Sequence, residues 1–158
     1  MKPLFPEVTV NGEVVPAAEI AAEAQMHPAP KDKPGLAWRA AARALAVRAL
    51  LLQAAARAGV DVTPAQLGPG REESADEAMI RAFIEAEVDP DPVTEADCQA
   101  AFEKRPSEAA NMSYDDVVKP LFDSLEKAAW TRAAGALVDR LVSEAQIEGV
   151  DMAQPRVA

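Results

Sequence analysis

A valine-rich run at Val8-Thr9-Val10 is followed by Asn11-Gly12 and a second short run, Glu13-Val14-Val15. Asn-Gly is the dipeptide that best tolerates positive φ at both centres of a two-residue hairpin turn, so a β-hairpin is predicted here. Pro16 fits the first helical position and opens an alanine-rich helix to about Met26. Pro28, Pro30 and Pro34 then stop the helical pattern and favour an extended linker. From Leu36 to Ala58 the apolar spacing turns helical, with Leu36, Ala40, Val47, Leu50, Leu51 and Ala54 as a broad stripe and Gly59 placed to cap the end. Arg39 and Arg43 fall on the opposite face.

Capping chemistry marks the next elements. Ser74-x-x-Glu77 is a capping box, and Thr94-x-x-Asp97 is a near variant. They predict helices over 74–87, with Met79, Ile80, Phe83 and Ile84 as its apolar face, and over 94–104, anchored by Phe102, with Asp89-Pro-Asp-Pro92 between them. Thr63 to Gln66 suggests a single short helical turn ended by Gly68, and residues 105–113 read as a loop. A last helix is predicted from Asp115 to Glu144, roughly 45 Å long at about 1.5 Å per residue, its first turn bent or delayed by Pro120. Its apolar positions are Val118, Leu121, Phe122, Leu125, Ala129, Ala133, Ala136, Leu137 and Leu141. Pro155 closes the tail. Only Ile147 to Val150 otherwise reads as strand, so it is the expected partner of the N-terminal hairpin. The fold class expected is mainly α, one domain over residues 1–158, with a small β-arm formed by the N- and C-terminal strands.

Composition narrows the partners. The 158 residues suffice for a real core, but only 4% are aromatic, so closely approaching, alanine-lined helices are expected. A net charge of −10 argues against nucleic acid as a partner. The charge is uneven: residues 72–97 hold ten acidic side chains and one basic, Arg81, whereas 38–57 hold only Arg39, Arg43, Arg48 and Arg57. Two helices with complementary solvated faces explain this, and an acidic client or partner meeting the arginines is the sharper alternative. No run is long enough to cross a bilayer, so no membrane partner is expected. The start, MKPLFPEVTV, with Pro3 and Pro6, lacks the apolar centre of a signal peptide, so a soluble cytoplasmic chain is expected.

Candidate chemistry is sparse. The one histidine, His27, lies in the proline-rich linker and reads as a solvated loop residue. The one cysteine, Cys98, excludes an internal disulfide and reads as a small buried apolar residue. No spacing suits zinc or a di-iron centre. Gly68-Pro69-Gly70 is not a phosphate loop. The carboxylates of DPDPVTEAD lack the glycine of a calcium loop and serve equally as a helix stop and N-cap. Met26, Met79, Met112 and Met152 suit gap-filling, or adaptable apolar surface as the alternative. Trp38 and Trp130 suit helix junctions, with a binding groove as the other reading. No catalytic residue, metal or cofactor is expected.

Taken in order, VNGEVVPAAEIAAEAQ, HPAP and AWRAAARALAVRALLLQAA resemble the N-terminal domain of SurA-like chaperones and NifM-like parvulin-type prolyl isomerases, and DEAMIRAFIEAEV with VTEADCQAAFEKRP resembles the helices that follow in that family. The stretch SYDDVVKPLFDSLEKAAWTRAAGALVDRLVSEAQIEGVDM resembles the helix and strand that follow their catalytic domain. Residues 8–105 and 114–152 would then be the two parts of one framework. Where that family carries its isomerase domain, only Pro106 to Ser113 lie here, so no catalytic residue carries over and no isomerase activity is expected. The resemblance implies a non-catalytic chaperone or assembly factor that grips client polypeptide in an apolar groove between the 36–58 helix and the last helix, lined by Leu51, Phe122, Leu125 and Trp130. A dedicated adaptor or dimerisation module for one protein partner, such as a metalloenzyme subunit under maturation, is the alternative. A monomer and a homodimer that exchanges its last helix are equally compatible with the short 106–113 connection.

Overall fold

The computed structural model describes residues 5–153, so Pro3 and Pro155 lie outside the described residues. The chain divides into two compact units: residues 5–86 with 138–153, and Glu87–Leu137.

The first unit is built on a three-stranded antiparallel sheet. β1 (Val8–Val10) and β2 (Glu13–Val15) form the expected hairpin, with Asn11 at φ 52° and Gly12 at φ 84°. Those angles match a turn whose twist suits the flanking strands. β5 (Ile147–Glu148) pairs with the other edge of β1, setting Thr9 against Glu148 and Val10 against Ile147, in the order β2-β1-β5. The two ends of the chain therefore meet. Val8 and Val10, two positions apart, share the buried face, and Val15, opposite Val8, joins them.

Asn11 does more than turn the chain. Its backbone N–H donates to the Gln146 carbonyl at 2.7 Å, and its side-chain oxygen accepts from the Gln146 N–H at 2.9 Å. Its Nδ2 donates to Gln53 Oε1 at 2.9 Å, while Gln53 Nε2 donates to the Val10 carbonyl at 3.0 Å. Hairpin, C-terminal strand and central helix are tied through one amide pair.

α1 (Ala17–Ala24) starts one residue later than expected: Pro16 is the N-cap, extended at ψ 135°, and its carbonyl accepts from the Glu19 and Ile20 amides. α2 (Pro34–Arg57) starts earlier than expected because Pro34 occupies its first turn instead of ending the linker. It ends in a Schellman cap: Val60 N–H reaches the Ala55 carbonyl, Gly59 N–H reaches Ala56, and Gly59 has φ 68°. α2 packs against α1, β1 and β2. Its buried face is Ala41, Ala42, Ala46, Leu50, Leu51, Ala54 and Ala55. The expected stripe holds at Leu50, Leu51 and Ala54 and is corrected at Leu36, which is exposed, and at Ala40 and Val47, which are half-buried.

Two further strands, absent from the sequence reading, replace the short turn expected at Thr63–Gln66: β3 (Gln66–Gly68) and β4 (Arg71–Glu72) form a hairpin about Pro69-Gly70. Its base is fixed to α3 (Ala75–Glu87) by Glu73. That carboxylate is only 8% exposed and receives Arg81 Nε and Nη2, each at 2.9 Å, and the Ala65 N–H at 3.1 Å. These hydrogen bonds, Arg81's first, hold its pKa below the usual carboxylate range. α3 begins at the expected Ser74–Glu77 capping box and buries Ala78 and Phe83; Met79, Ile80 and Ile84 are half-buried.

The second unit holds α4 (Glu95–Glu103), a 3-10 turn (Ser107–Ala109) and α5 (Tyr114–Glu144) up to Leu137. The Thr94–Asp97 capping box forms in full. Arg105 orders the connection that follows. Its guanidinium lies 3.9 Å over the Phe102 ring and donates to the carbonyls of Phe102, Ala109 and Ala110. α5 is not delayed by Pro120, which sits inside the helix. No helix among the described residues is long and apolar enough to cross a membrane.

Candidate functional site

The first three turns of α2 form one wall of an open groove in the first unit. Trp38 stacks on Phe5, with ring centroids 4.8 Å apart and planes 10° from parallel. Phe5 reaches it because Pro6 and β1 follow directly and fix the chain beside α2. Leu36, Arg39 and Arg43 repeat at helical spacing along the same wall, with Ala42 at its floor. The opposite wall is Gly149, Val150 and Asp151, the segment just past β5. The groove encloses about 430 Å³ and is mainly apolar. A smaller cavity of about 170 Å³, lined by Val8, Val15 and Ile20 among others, shares Phe5, Pro6 and Trp38 with it. The aromatic pair thus stands between two apolar spaces.

The groove exists because the ends of the chain meet. Its walls come from residues near 5, near 40 and near 150, and β1–β5 pairing brings the first and last of these together. Gly149 is required at the join. It has φ 89°, and the Glu7 carbonyl oxygen occupies the space that a β-carbon there would need.

The other groups singled out in the sequence stand as follows. Leu51 is 7% exposed and belongs to the buried face of α2. Phe122 and Leu125 are half-buried and Trp130 is 45% exposed, all on the part of α5 within the second unit. Trp38, the other tryptophan, lines the groove. His27 is not simply solvated: it is half-buried, and its Nε2 lies 3.1 Å from Glu23 Oε1 one turn earlier. Cys98 is buried, and burial pushes its thiol pKa up, which leaves it protonated at neutral pH. No cluster of metal-ligating side chains occurs among the described residues. Met26 and Met112 are exposed, and Met79 and Met152 are half-buried. The complementary charge of the arginine-rich and acid-rich stretches is realised between α2 and α3 by Arg48 and Asp76, 3.5 Å apart.

Sequence reasoning missed Phe5, Arg39 and Arg43 as neighbours in one site. It also missed Gln53, although a lone glutamine within the apolar run Leu50 to Ala56 was a visible signal.

One group in the second unit has a strongly shifted pKa. Tyr114 donates its hydroxyl to Glu95 Oε1 at 2.8 Å and meets the Phe102 ring edge-on. The bond to a carboxylate favours the neutral phenol, with desolvation second, and the pKa is pushed up to about 12. A raised acid pKa stabilises the folded chain fully below about pH 10, the ordinary tyrosine value, and that contribution is lost as pH rises to about 12. Tyr114 is the sole tyrosine, so ultraviolet difference titration reads it directly. The expected midpoint is about 12, falling toward the ordinary value in Glu95→Ala. An unshifted native midpoint would contradict the bond.

In comparisons with family models, with curated proteins and with solved structures, nothing matches this chain.

Proposed function

We propose that this chain is a non-catalytic chaperone or assembly factor that holds unfolded or partly folded client segments in an apolar groove, on a framework of the SurA and NifM type without the isomerase domain. The observation that supports it most is the open groove beside Trp38, assembled where the two ends of the chain pair. Two features agree with the framework. The C-terminal strand returns to the N-terminal hairpin, as the resemblance implies. The connection between α4 and α5 holds a single 3-10 turn where the resembling family carries its catalytic domain.

The groove fits reversible binding of chain segments. It is partly open to solvent, and burial of apolar client surface is worth roughly 25 cal/mol per Å². Much of that gain is offset by ordering the segment, so weak and releasable contacts are the expected regime.

The test is light scattering by a chemically denatured protein diluted into buffer with excess chaperone. Suppressed aggregation, weakened by Trp38→Ala, is the expected result. Unchanged aggregation together with no measurable peptide binding overturns the reading. Capture of one stoichiometric partner from the native host, in place of many weak clients, would move it to a dedicated adaptor.

A further inference from the structure

The groove carries charge as well as apolar surface. Arg39 and Arg43 lie one turn apart on its α2 wall, and neither makes an ion pair or side-chain hydrogen bond among the described residues. Arg57, Arg71, Arg132 and Arg140 likewise make no ion pair among the described residues; what sets Arg39 and Arg43 apart is that both line one apolar groove. Arg48 and Arg81, by contrast, are both paired. Asp151, the one acidic side chain on the described lining, accepts from the Ala153 N–H at 2.9 Å and bridges neither arginine. Beside the two free guanidinium groups stands the Phe5–Trp38 stack, a flat apolar surface half-open to solvent.

We propose that this groove selects extended polypeptide segments in which a large apolar side chain neighbours a carboxylate, the first set against Phe5 and Trp38 and the second on Arg39 and Arg43. The proposal rests on the client-binding reading above and names the kind of segment that site takes. Guanidinium groups suit the task because their planar fork matches both oxygens of a carboxylate. The chain's acidic excess elsewhere repels such segments, so attraction is confined to the arginine wall.

A Trp130→Phe form leaves Trp38 as the sole indole, so its emission reports on the groove alone. Three short peptides with blocked ends serve as probes: one combining leucine, phenylalanine and two glutamates, one with glutamines in place of the glutamates, and one with lysines there. The glutamate peptide is expected to bind about tenfold more tightly than the glutamine peptide, the factor that one charge-assisted hydrogen bond can supply. The lysine peptide should bind more weakly than either, and the glutamate advantage should shrink with added salt. Arg39→Gln combined with Arg43→Gln should abolish the preference, so that the glutamate and glutamine peptides bind equally. If that double variant fails to fold by circular dichroism, the three-peptide ranking decides without it. Equal affinity for the glutamate and glutamine peptides overturns the charge assignment and leaves the client-binding reading standing. No response to any peptide from folded protein overturns both. A Trp38 response that follows protein concentration and ignores peptide identifies a second copy of the chain as the occupant and overturns the proposal.

Discussion

Gly149→Ala is expected to destabilise the first unit well beyond an ordinary glycine substitution. Gly149 has φ 89°, a conformation that side-chain-bearing residues rarely adopt, and that strain alone costs about 1–3 kcal/mol. The new β-carbon would also meet the Glu7 carbonyl oxygen and come within 3.0 Å of the Val8 Cα. Both are backbone atoms and cannot rotate away, so β1 and β5 must separate where they pair. Gly12→Ala is the control. Gly12 has a similar φ of 84°, yet nothing lies within 4 Å of its would-be β-carbon. Urea unfolding should therefore show a larger loss for Gly149→Ala than for Gly12→Ala. Equal losses would mean that the close approach of the two ends contributes nothing. Since domains are stable by only about 5–15 kcal/mol, the loss is a sizeable fraction of the whole.

Ile20→Ala is expected to cost roughly 2–5 kcal/mol in the same measurement. Ile20 is 2% exposed and is the largest of the fully buried side chains. Its helix, α1, packs on an α2 face made largely of alanine. Alanine side chains cannot reach into the vacated space, so the hole stays open. It would also enlarge the small cavity that Ile20 lines together with Phe5 and Trp38. Ile20→Val, which removes one carbon, should cost about 0.5–1.5 kcal/mol. A loss below about 1 kcal/mol for Ile20→Ala would indicate that α1 shifts to refill the site.

The elements that the sequence made legible are those with local chemistry. Asn11-Gly12 demanded a hairpin because few other dipeptides adopt two successive positive φ angles. Ser74, Thr94 and Gly59 placed helix ends because caps satisfy orphan amides and carbonyls within one turn. The β3–β4 hairpin was not legible. Gln66, Leu67, Arg71 and Glu72 are all exposed, so no alternation of buried and polar residues betrays a strand, and the staple that holds them is Glu73 with Arg81 from the next helix.

The expected stripe of α2 held at Leu50, Leu51 and Ala54 but was misread over the first half of the helix for another reason. Alanine occupies so many positions that more than one apolar stripe can be drawn along it, and the burial of Ala41, Ala42 and Ala46 is decided by α1 and the sheet, not by hydrophobic pattern. Arg39 and Arg43 accordingly read as a solvated outer face. The groove they line is non-local, with walls from three distant stretches, and only the β1–β5 pairing reveals that these stretches adjoin.

The Asn11–Gln146 bonds span 135 positions of chain. Closing so long a loop is entropically costly and slow compared with forming the hairpin or the helices. During synthesis, the ribosome releases β1 and β2 long before β5 exists, and the Val150 side of the groove is made long after the Trp38 side. A nascent copy of this protein is therefore itself an incomplete sheet with an open edge, and its Trp38 groove gains its second wall only once residues 147–151 have left the exit tunnel.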